Sequence, residues 1–166
     1  RQGKTDDAFA EIRKAVAGND TFATPAATIA WQILDGDIGR VKAAIGDSQN
    51  TRAALVTILL AEKRFDEAVA TWNGLPEENK KTNLKNVGDK LAAELIAAKR
   101  FRQAVAVAND IKSSEAAISS IRNGGFEVNE FNASVFDWQI TGGTVPQITL
   151  SSGVKRSGNY SLLVAF

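Results

Sequence analysis

The fold is decided by residues 55–76, LVTILLAEKRFDEAVATWNGLP. Apolar residues recur at helical spacing on both sides of Glu62, Lys63 and Arg64, which suit a corner exposed to water. Residues 91–111, LAAELIAAKRFRQAVAVANDI, repeat this order, with Lys-Arg-Phe again at the corner. Because one helical pair cannot bury its own apolar face, the sequence predicts a stack of such pairs.

The composition is that of a folded chain without a strong net charge. Hydrophobic residues make up 44% of the 166, which is enough for a packed core, and the net charge is +1. A balanced chain is not drawn to nucleic acid or to an acidic membrane surface, and no apolar run reaches the roughly 20 residues that a membrane helix needs. We therefore predict no nucleic-acid binding and no membrane insertion.

The residue types on which many enzymes depend are missing. The chain has neither His nor Cys, which excludes Ser-His-Asp triads, Cys-His pairs and the common zinc sites. The remaining acidic pairs, such as Asp35 and Asp37, fall at predicted corners, where carboxylates cap helices and face water. We predict a non-catalytic protein without a cofactor.

The same periodicity predicts the other helices. A single helix over residues 5–17 comes first, with Ala8, Ile12, Ala15 and Val16 on its inward side. Because residues 4–7 resemble a hairpin corner, we expect this helix to be the second member of a pair that begins earlier. The next helix is predicted to run to about Leu34, through the apolar residues Ile29, Ile33 and Leu34. The further predicted elements are helices at 24–34, 38–45, 51–62 and 66–73, a mobile polar loop at 77–81, and helices at 82–99 and 101–111.

The corners carry a resemblance to a known family. The segments AEKRF and AAKRF end on Phe65 and Phe101, which open the second helices, and a small residue follows at Ala68 and Ala104. Residues 5–111 thereby resemble tetratricopeptide-type repeats, which are helix-turn-helix units of about 34 residues. The resemblance implies a mainly α fold, in which about three and a half hairpins form a right-handed α-α superhelix.

The resemblance also implies where a partner binds. In such repeats the first helices line a concave face, where small and polar side chains accommodate a protein or peptide partner. Counting back from the three corners places Ala23, Ala26 and Ala30, then Asn50, Ala53 and Thr57, and then Asn86, Asp89 and Ala93 on that face. The alternative is that these small residues only allow close helix packing.

A β region follows the helices. Residues 113–122 predict a short linker helix, and the apolar period then changes from 3.6 to two. Strands are predicted around residues 136–140, 148–150 and 160–166, with glycine-containing turns at 141–144 and 157–159. The sequence therefore divides into helical repeats at 1–112, the linker helix, and a short antiparallel β region at 123–166.

This β region has a resemblance of its own. The segments NGGFE, FDWQI and RSGNYSLLVAF are similar to the start of jelly-roll modules of the galactose-binding, carbohydrate-binding type. We expect only the first part of such a module, because the family's domains are longer. The resemblance implies that Glu127 lies near a structural calcium ion, the alternative being an ordinary exposed Glu, and it makes a glycan a candidate ligand.

Two further predictions concern aromatic and apolar residues. Trp72 and Trp138 follow the apolar period and are assigned to the core, whereas Trp31 lies off the main stripe and is the candidate for stacking on a ligand. The final strand, residues 159–166, leaves unpaired backbone groups at an apolar edge. We expect it to be covered by the helices or to pair with a second copy in a homodimer.

Two functions remain open on the sequence. The first is a non-catalytic scaffold that binds a protein partner on the concave face of its repeats. The second is a glycan-binding accessory protein that acts through the β region. The resemblance to carbohydrate-binding modules implies a periplasmic or extracellular location, in association with the cell envelope.

Overall fold

The chain forms two compact units, Arg1–Ser114 and Glu115–Phe166. The structure is a computed structural model that describes residues 2–111, 123–128, 131, 138–140 and 143–166. It is mainly helical, with a small two-stranded antiparallel sheet in the second unit. The linker helix expected at 113–122 lies outside the described residues.

The first unit is built from helices joined by short turns. Helix α1 is followed by a single 3-10 turn, and of the helices after it α2 and α3, α4 and α5, and α7 and α8 are joined in pairs by short turns. Their bounds are α1 Gln2–Gly18, the 3-10 turn Asp20–Phe22, α2 Ala23–Ile33, α3 Ile38–Ile45, α4 Gln49–Ala61, α5 Phe65–Asn73, α6 Glu77–Lys81, α7 Lys85–Ala97 and α8 Phe101–Ile111. The bounds of α3 and α8 are those that the periodicity predicts.

In each helical pair, the corner that follows the first helix, which is α2, α4 or α7, has the same backbone geometry. Asp35, Lys63 and Lys99 adopt φ values of 54°, 57° and 60°. The backbone N–H of the next residue, Gly36, Arg64 or Arg100, donates to the carbonyl five residues earlier, at distances of 2.9, 2.9 and 2.8 Å. This pattern ends α2, α4 and α7 alike and aligns the three helices residue by residue.

Large apolar side chains fill the space between the helices. The side chains of Leu55 and Leu59 on α4 and of Leu91 and Leu95 on α7 are fully buried. The inward side of α1 differs from the expectation, because Phe9 and Val16 are buried while Ala8 and Ala15 are exposed. A phenyl ring removes more apolar area from water than a methyl group, so the helix turns Phe9 inward.

The segment 77–81 is a short helix, so the prediction of a loop there is wrong. Its Lys80 is buried, with 5% of the residue exposed, and the Nζ atom lies 2.9 Å from Oδ2 of Asp110 on α8. The same carboxylate oxygen accepts a hydrogen bond from the indole nitrogen of Trp72 on α5, at 2.9 Å. Residues EENKK have no apolar period, and the ion pair from Lys80 joins α6 to α8.

Arginine side chains link consecutive pairs. Arg64 donates to the carbonyl of Gly36 at 2.9 Å, and its guanidinium lies 4.9 Å from the ring centre of Trp31. Arg52 binds the carboxylate of Asp47 through two nitrogens at 2.7 Å and also donates to the carbonyl of Gly74. The hydrogen bond from Arg52 holds the pKa of Asp47 below its usual value.

The second unit contains a β-hairpin. Strand β1, Gln147–Ser151, pairs antiparallel with β2, Ser161–Ala165, in a register that places Thr149 opposite Leu163. Gly158 has a φ of 73° in the connection, as the predicted glycine turn requires, and the Glu127 side chain fills the space where a Cβ would stand.

The region before this hairpin departs from the expected strand. Residues 138–140 are not in a strand, and Phe136 lies outside the described residues. Trp138 is exposed, so its assignment to the core is wrong. Its ring lies against Phe126, with 5.0 Å between ring centres, and its indole nitrogen donates to the carbonyl of Asn123 at 3.2 Å. This local stacking takes the place of burial between sheets.

Candidate functional site

The shared corner geometry brings one set of residues to equivalent positions on the three first helices. We call this set the first-helix stripe. It consists of Phe22, Pro25, Ile29 and Ile33 on α2 and its cap, Asn50, Ala53, Thr57 and Ala61 on α4, and Asn86, Asp89, Ala93 and Ala97 on α7. Members of each group are spaced three or four residues apart and therefore share one side of their helix.

The α2 part of the stripe is apolar and exposed. Phe22, Ile29 and Ile33 are 50%, 46% and 51% exposed, and Pro25 is also exposed. Ile29 and Ile33 therefore do not belong to the buried side of this helix. Ala23, Ala26, Ala27, Ala30 and Trp31 form the buried side of α2 instead. The small side chains of the four alanines allow α2 to pack against α4.

A groove adjoins this apolar part of the stripe. Its volume is about 160 Å³, and all the side chains that line it are apolar. Ile12, Ala15 and Val16 of α1 form one wall, and Phe22, Pro25, Ala26 and Ile29 form the other. A groove of this size and chemistry can accept one bulky apolar side chain from a partner.

The expected concave residues of the second pair lie elsewhere. Ala23, Ala26 and Ala30 are buried, so none of them is presented to a partner. The turn after α2 contains one residue more between its left-handed residue and the next helix than the turns after α4 and α7. Counting back from Ile38 therefore selects residues one position too late, and Phe22, Pro25 and Ile29 are the true counterparts.

The α4 part of the stripe is more enclosed. Ala53 is only 8% exposed, while Asn50 and Thr57 are half-buried. The Thr57 hydroxyl donates to the carbonyl of Ala53 at 3.3 Å. Helix α4 contacts both α2 and α7, so neighbouring helices cover both of its sides. The side-chain amide of Asn50 remains the polar group that α4 offers.

The α7 part of the stripe is polar and open. Asn86 and Ala93 are exposed, and Asp89 is half-buried. The Asp89 carboxylate lies 2.7 Å from the Nζ atom of Lys85, one turn earlier on the same helix. Both groups are exposed to water, so this ion pair contributes little to stability and can exchange for a partner's cation.

Trp31 is not on the stripe. It is buried, its indole nitrogen donates to Oε1 of Glu62 at 2.6 Å, and the Arg64 guanidinium covers its ring. Both neighbours come from the following helical pair, which a reading of residues 24–34 alone does not reveal. A ring covered in this way is not available for stacking on a ligand.

Glu127 lies in the second unit, where its carboxylate accepts a hydrogen bond from the backbone N–H of Asn159. Among the residues that the structure describes, no three acidic side chains converge as they would around a metal ion. A calcium site at Glu127 stays a prediction, since calcium takes six or more oxygen ligands.

Two observations complete the description of the chain. In its described part, no helix is both long enough and apolar enough to cross a bilayer. Comparison with protein-family models, with curated proteins and with solved structures gives no match for the chain.

Proposed function

We propose that the helical unit is a non-catalytic interaction module that binds a segment of a partner protein along the first-helix stripe. One observation carries the proposal, namely the exposed apolar side chains of Phe22, Ile29 and Ile33 beside an apolar groove. In this proposal the helical pairs form a superhelix of the tetratricopeptide type, and the stripe lies on its concave face.

The internal repeat supplies the reason for this interpretation. Ile29 aligns with Thr57 and Ala93, and Phe22 aligns with Asn50 and Asn86, so α4 and α7 pack without bulky apolar residues at these positions. Helix packing therefore does not require them on α2. Scattered exposed apolar residues need no explanation, but a contiguous group beside a groove is typical of an interaction site.

The change of chemistry along the stripe describes the partner. An apolar side chain would enter the groove at α2, and polar backbone or side-chain groups would meet the amides of Asn50 and Asn86. Neither side-chain amide makes a hydrogen bond within the described residues. An amphipathic segment with its bulky apolar residue at one end fits this order.

The test is selection of peptides from a random displayed library on the folded chain, followed by affinity measurements with variants. We expect Ile29→Asp to lower the affinity for the selected peptides by about tenfold to a hundredfold, because burying one apolar side chain contributes about 1.5–3 kcal/mol. Ala93→Arg is expected to weaken binding by obstructing the other end of the stripe.

The matched control is Ala70→Arg, which adds the same side chain at an exposed position of the second helix α5. It should leave the affinity unchanged. Equal losses for Ala70→Arg and Ala93→Arg, or full affinity in Ile29→Asp, would place binding elsewhere and contradict the proposal.

The other functional predictions are untested. Glycan binding by the β region, pairing of residues 159–166 with a second copy, and association with the cell envelope stay predictions.

A further inference from the structure

A second surface lies at the corner between α7 and α8, and its chemistry becomes clear by comparison with the corner between α4 and α5. In that earlier corner, Phe65 is half-buried, and the guanidinium of Arg100 lies 5.3 Å from its ring centre. Oδ1 of Asp66 lies 2.5 Å from Nη1 of this arginine and also accepts a hydrogen bond from the side chain of Gln103 at 3.0 Å. The aromatic ring and the acid are thus both used within the chain.

The later corner has the same backbone, but it carries a cation at the position where the earlier corner carries an acid. Phe101 takes the position of Phe65, Arg102 that of Asp66, and Gln103 that of Glu67. Phe101 is 58% exposed, and no cation among the described residues covers its ring as Arg100 covers that of Phe65.

Two cations lie beside this ring without an ion-pair partner among the residues that the structure describes. Lys99 and Arg102 are exposed, and neither is paired with a carboxylate in the described part of the chain. They line an open cavity of about 390 Å³ together with Arg100, Phe101 and Gln103. We call Lys99, Phe101 and Arg102 the basic corner.

We propose that the basic corner docks an acidic segment of a partner protein, with carboxylates at Lys99 and Arg102 and an apolar side chain on Phe101. The earlier corner shows what such a ring accepts when an acid stands beside it, which is a guanidinium. With Arg102 in place of the acid, a cation is repelled and a carboxylate is attracted. Exposed aromatic and arginine side chains are also the types enriched at protein interfaces.

The probe is a short fluorescent peptide of alternating Glu and Phe, whose binding is followed by anisotropy at low ionic strength. Saturable binding to the native chain is expected. The double variant Lys99→Glu with Arg102→Glu should weaken it by about tenfold or more, because both attractive contacts become repulsive. The same variant should bind a peptide of alternating Lys and Phe more tightly than the native chain does.

The matched control is Arg40→Glu with Lys90→Glu, which changes the net charge equally at two exposed positions outside the basic corner. It should leave the affinity for the acidic peptide nearly unchanged. Phe101→Ala should weaken binding several-fold, while Ile29→Asp should have no effect, which separates this surface from the first-helix stripe.

Three results would overturn the proposal. The control variant, Arg40→Glu with Lys90→Glu, could lower the affinity for the acidic peptide as much as the basic-corner variant does. That result would show attraction to overall charge alone. A peptide with Gln in place of Glu could bind equally well. A single-stranded oligonucleotide could bind more tightly than the acidic peptide in a manner that requires Lys99 and Arg102, which would assign the corner to nucleic acid.

Discussion

Helices α2 and α7 take the same place in two of the helical pairs, yet their exposed stripes have opposite chemistry. The α2 stripe presents Phe22, Ile29 and Ile33, whereas α7 presents Asn86, Asp89 and Ala93. Each helix buries its opposite side, through Ala27 and Trp31 in one and Leu91 and Leu95 in the other. The difference teaches that the buried side alone makes the helix pack, which leaves the stripe free to serve binding.

The largest expected effect tests this division between the buried side and the stripe. Leu59→Ala should lower the free energy of unfolding by about 2–5 kcal/mol, because a fully buried leucine leaves a cavity in α4. Ile29→Ala, at a half-exposed position, should lower it by about 1 kcal/mol or less. Urea unfolding followed by circular dichroism measures both. Comparable losses would show that Ile29 belongs to the core.

The second effect compares two ion pairs that involve acids of the last helical pair. Asp110→Ala should lower the free energy of unfolding by about 2–3 kcal/mol, because it leaves the buried Lys80 ammonium and the Trp72 indole nitrogen without this acceptor. Asp89→Ala removes the exposed pair with Lys85 and should cost about 0.5 kcal/mol or less. If the two variants unfold at the same urea concentration, Lys80 is not held as the structure indicates.

The third effect concerns the buried side of α7 at Gly88. A Cβ there would lie 2.6 Å from Cγ2 of Ile111 and 2.7 Å from the Trp72 ring, so Gly88→Ala should destabilise by about 1–2 kcal/mol despite the better helix propensity of alanine. Gly18→Ala, which meets nothing within 4 Å, is the control and should not destabilise. Thermal unfolding distinguishes the two, and a stabilised Gly88→Ala would mean that α5 and α7 lie further apart.

The smallest effect is on the acid dependence of stability. Hydrogen bonds from Arg52, Arg100 and Arg64 lower the pKa of Asp47, Asp66 and Glu67 respectively. Carboxylates with a lowered folded pKa contribute stability that is present above the unfolded values, 3.8 for Asp and 4.5 for Glu, and is lost as the pH falls through the folded values.

Asp47→Asn should therefore reduce the loss of stability on acidification, as measured by urea midpoints from neutral pH to about pH 3. Asp20→Asn is the control, because Asp20 has no ion pair in the described part of the chain. An unchanged acid dependence in Asp47→Asn would mean that its bonds with Arg52 do not persist in solution.

Much of the helical unit could be predicted from its sequence, because period and corner residues are local signals. Helices α3 and α8 have the predicted bounds, and Trp72 is buried as expected. Helix α6 could not be predicted in this way, since the contact between Lys80 and Asp110 joins residues 30 positions apart.

The candidate site was harder to predict than the fold. One extra residue in the turn at Gly36 shifted the expected stripe of α2 by one position, from Phe22, Pro25 and Ile29 to Ala23, Ala26 and Ala30. The covering of Trp31 by Arg64 likewise depends on how two pairs pack. A hydrophobic period identifies an apolar side, but it does not tell which apolar residues remain in water.

The most direct test transfers the α7 stripe onto α2, by the combined substitutions Phe22→Asn, Pro25→Asp, Ile29→Ala and Ile33→Ala. Affinity for the selected peptides and the free energy of unfolding are measured on the same protein. We predict a folded chain whose affinity for the selected peptides falls by about a hundredfold, because the apolar side chain of the peptide loses its groove. Retained affinity, or a loss of stability like that of Leu59→Ala, would contradict a binding role for the stripe.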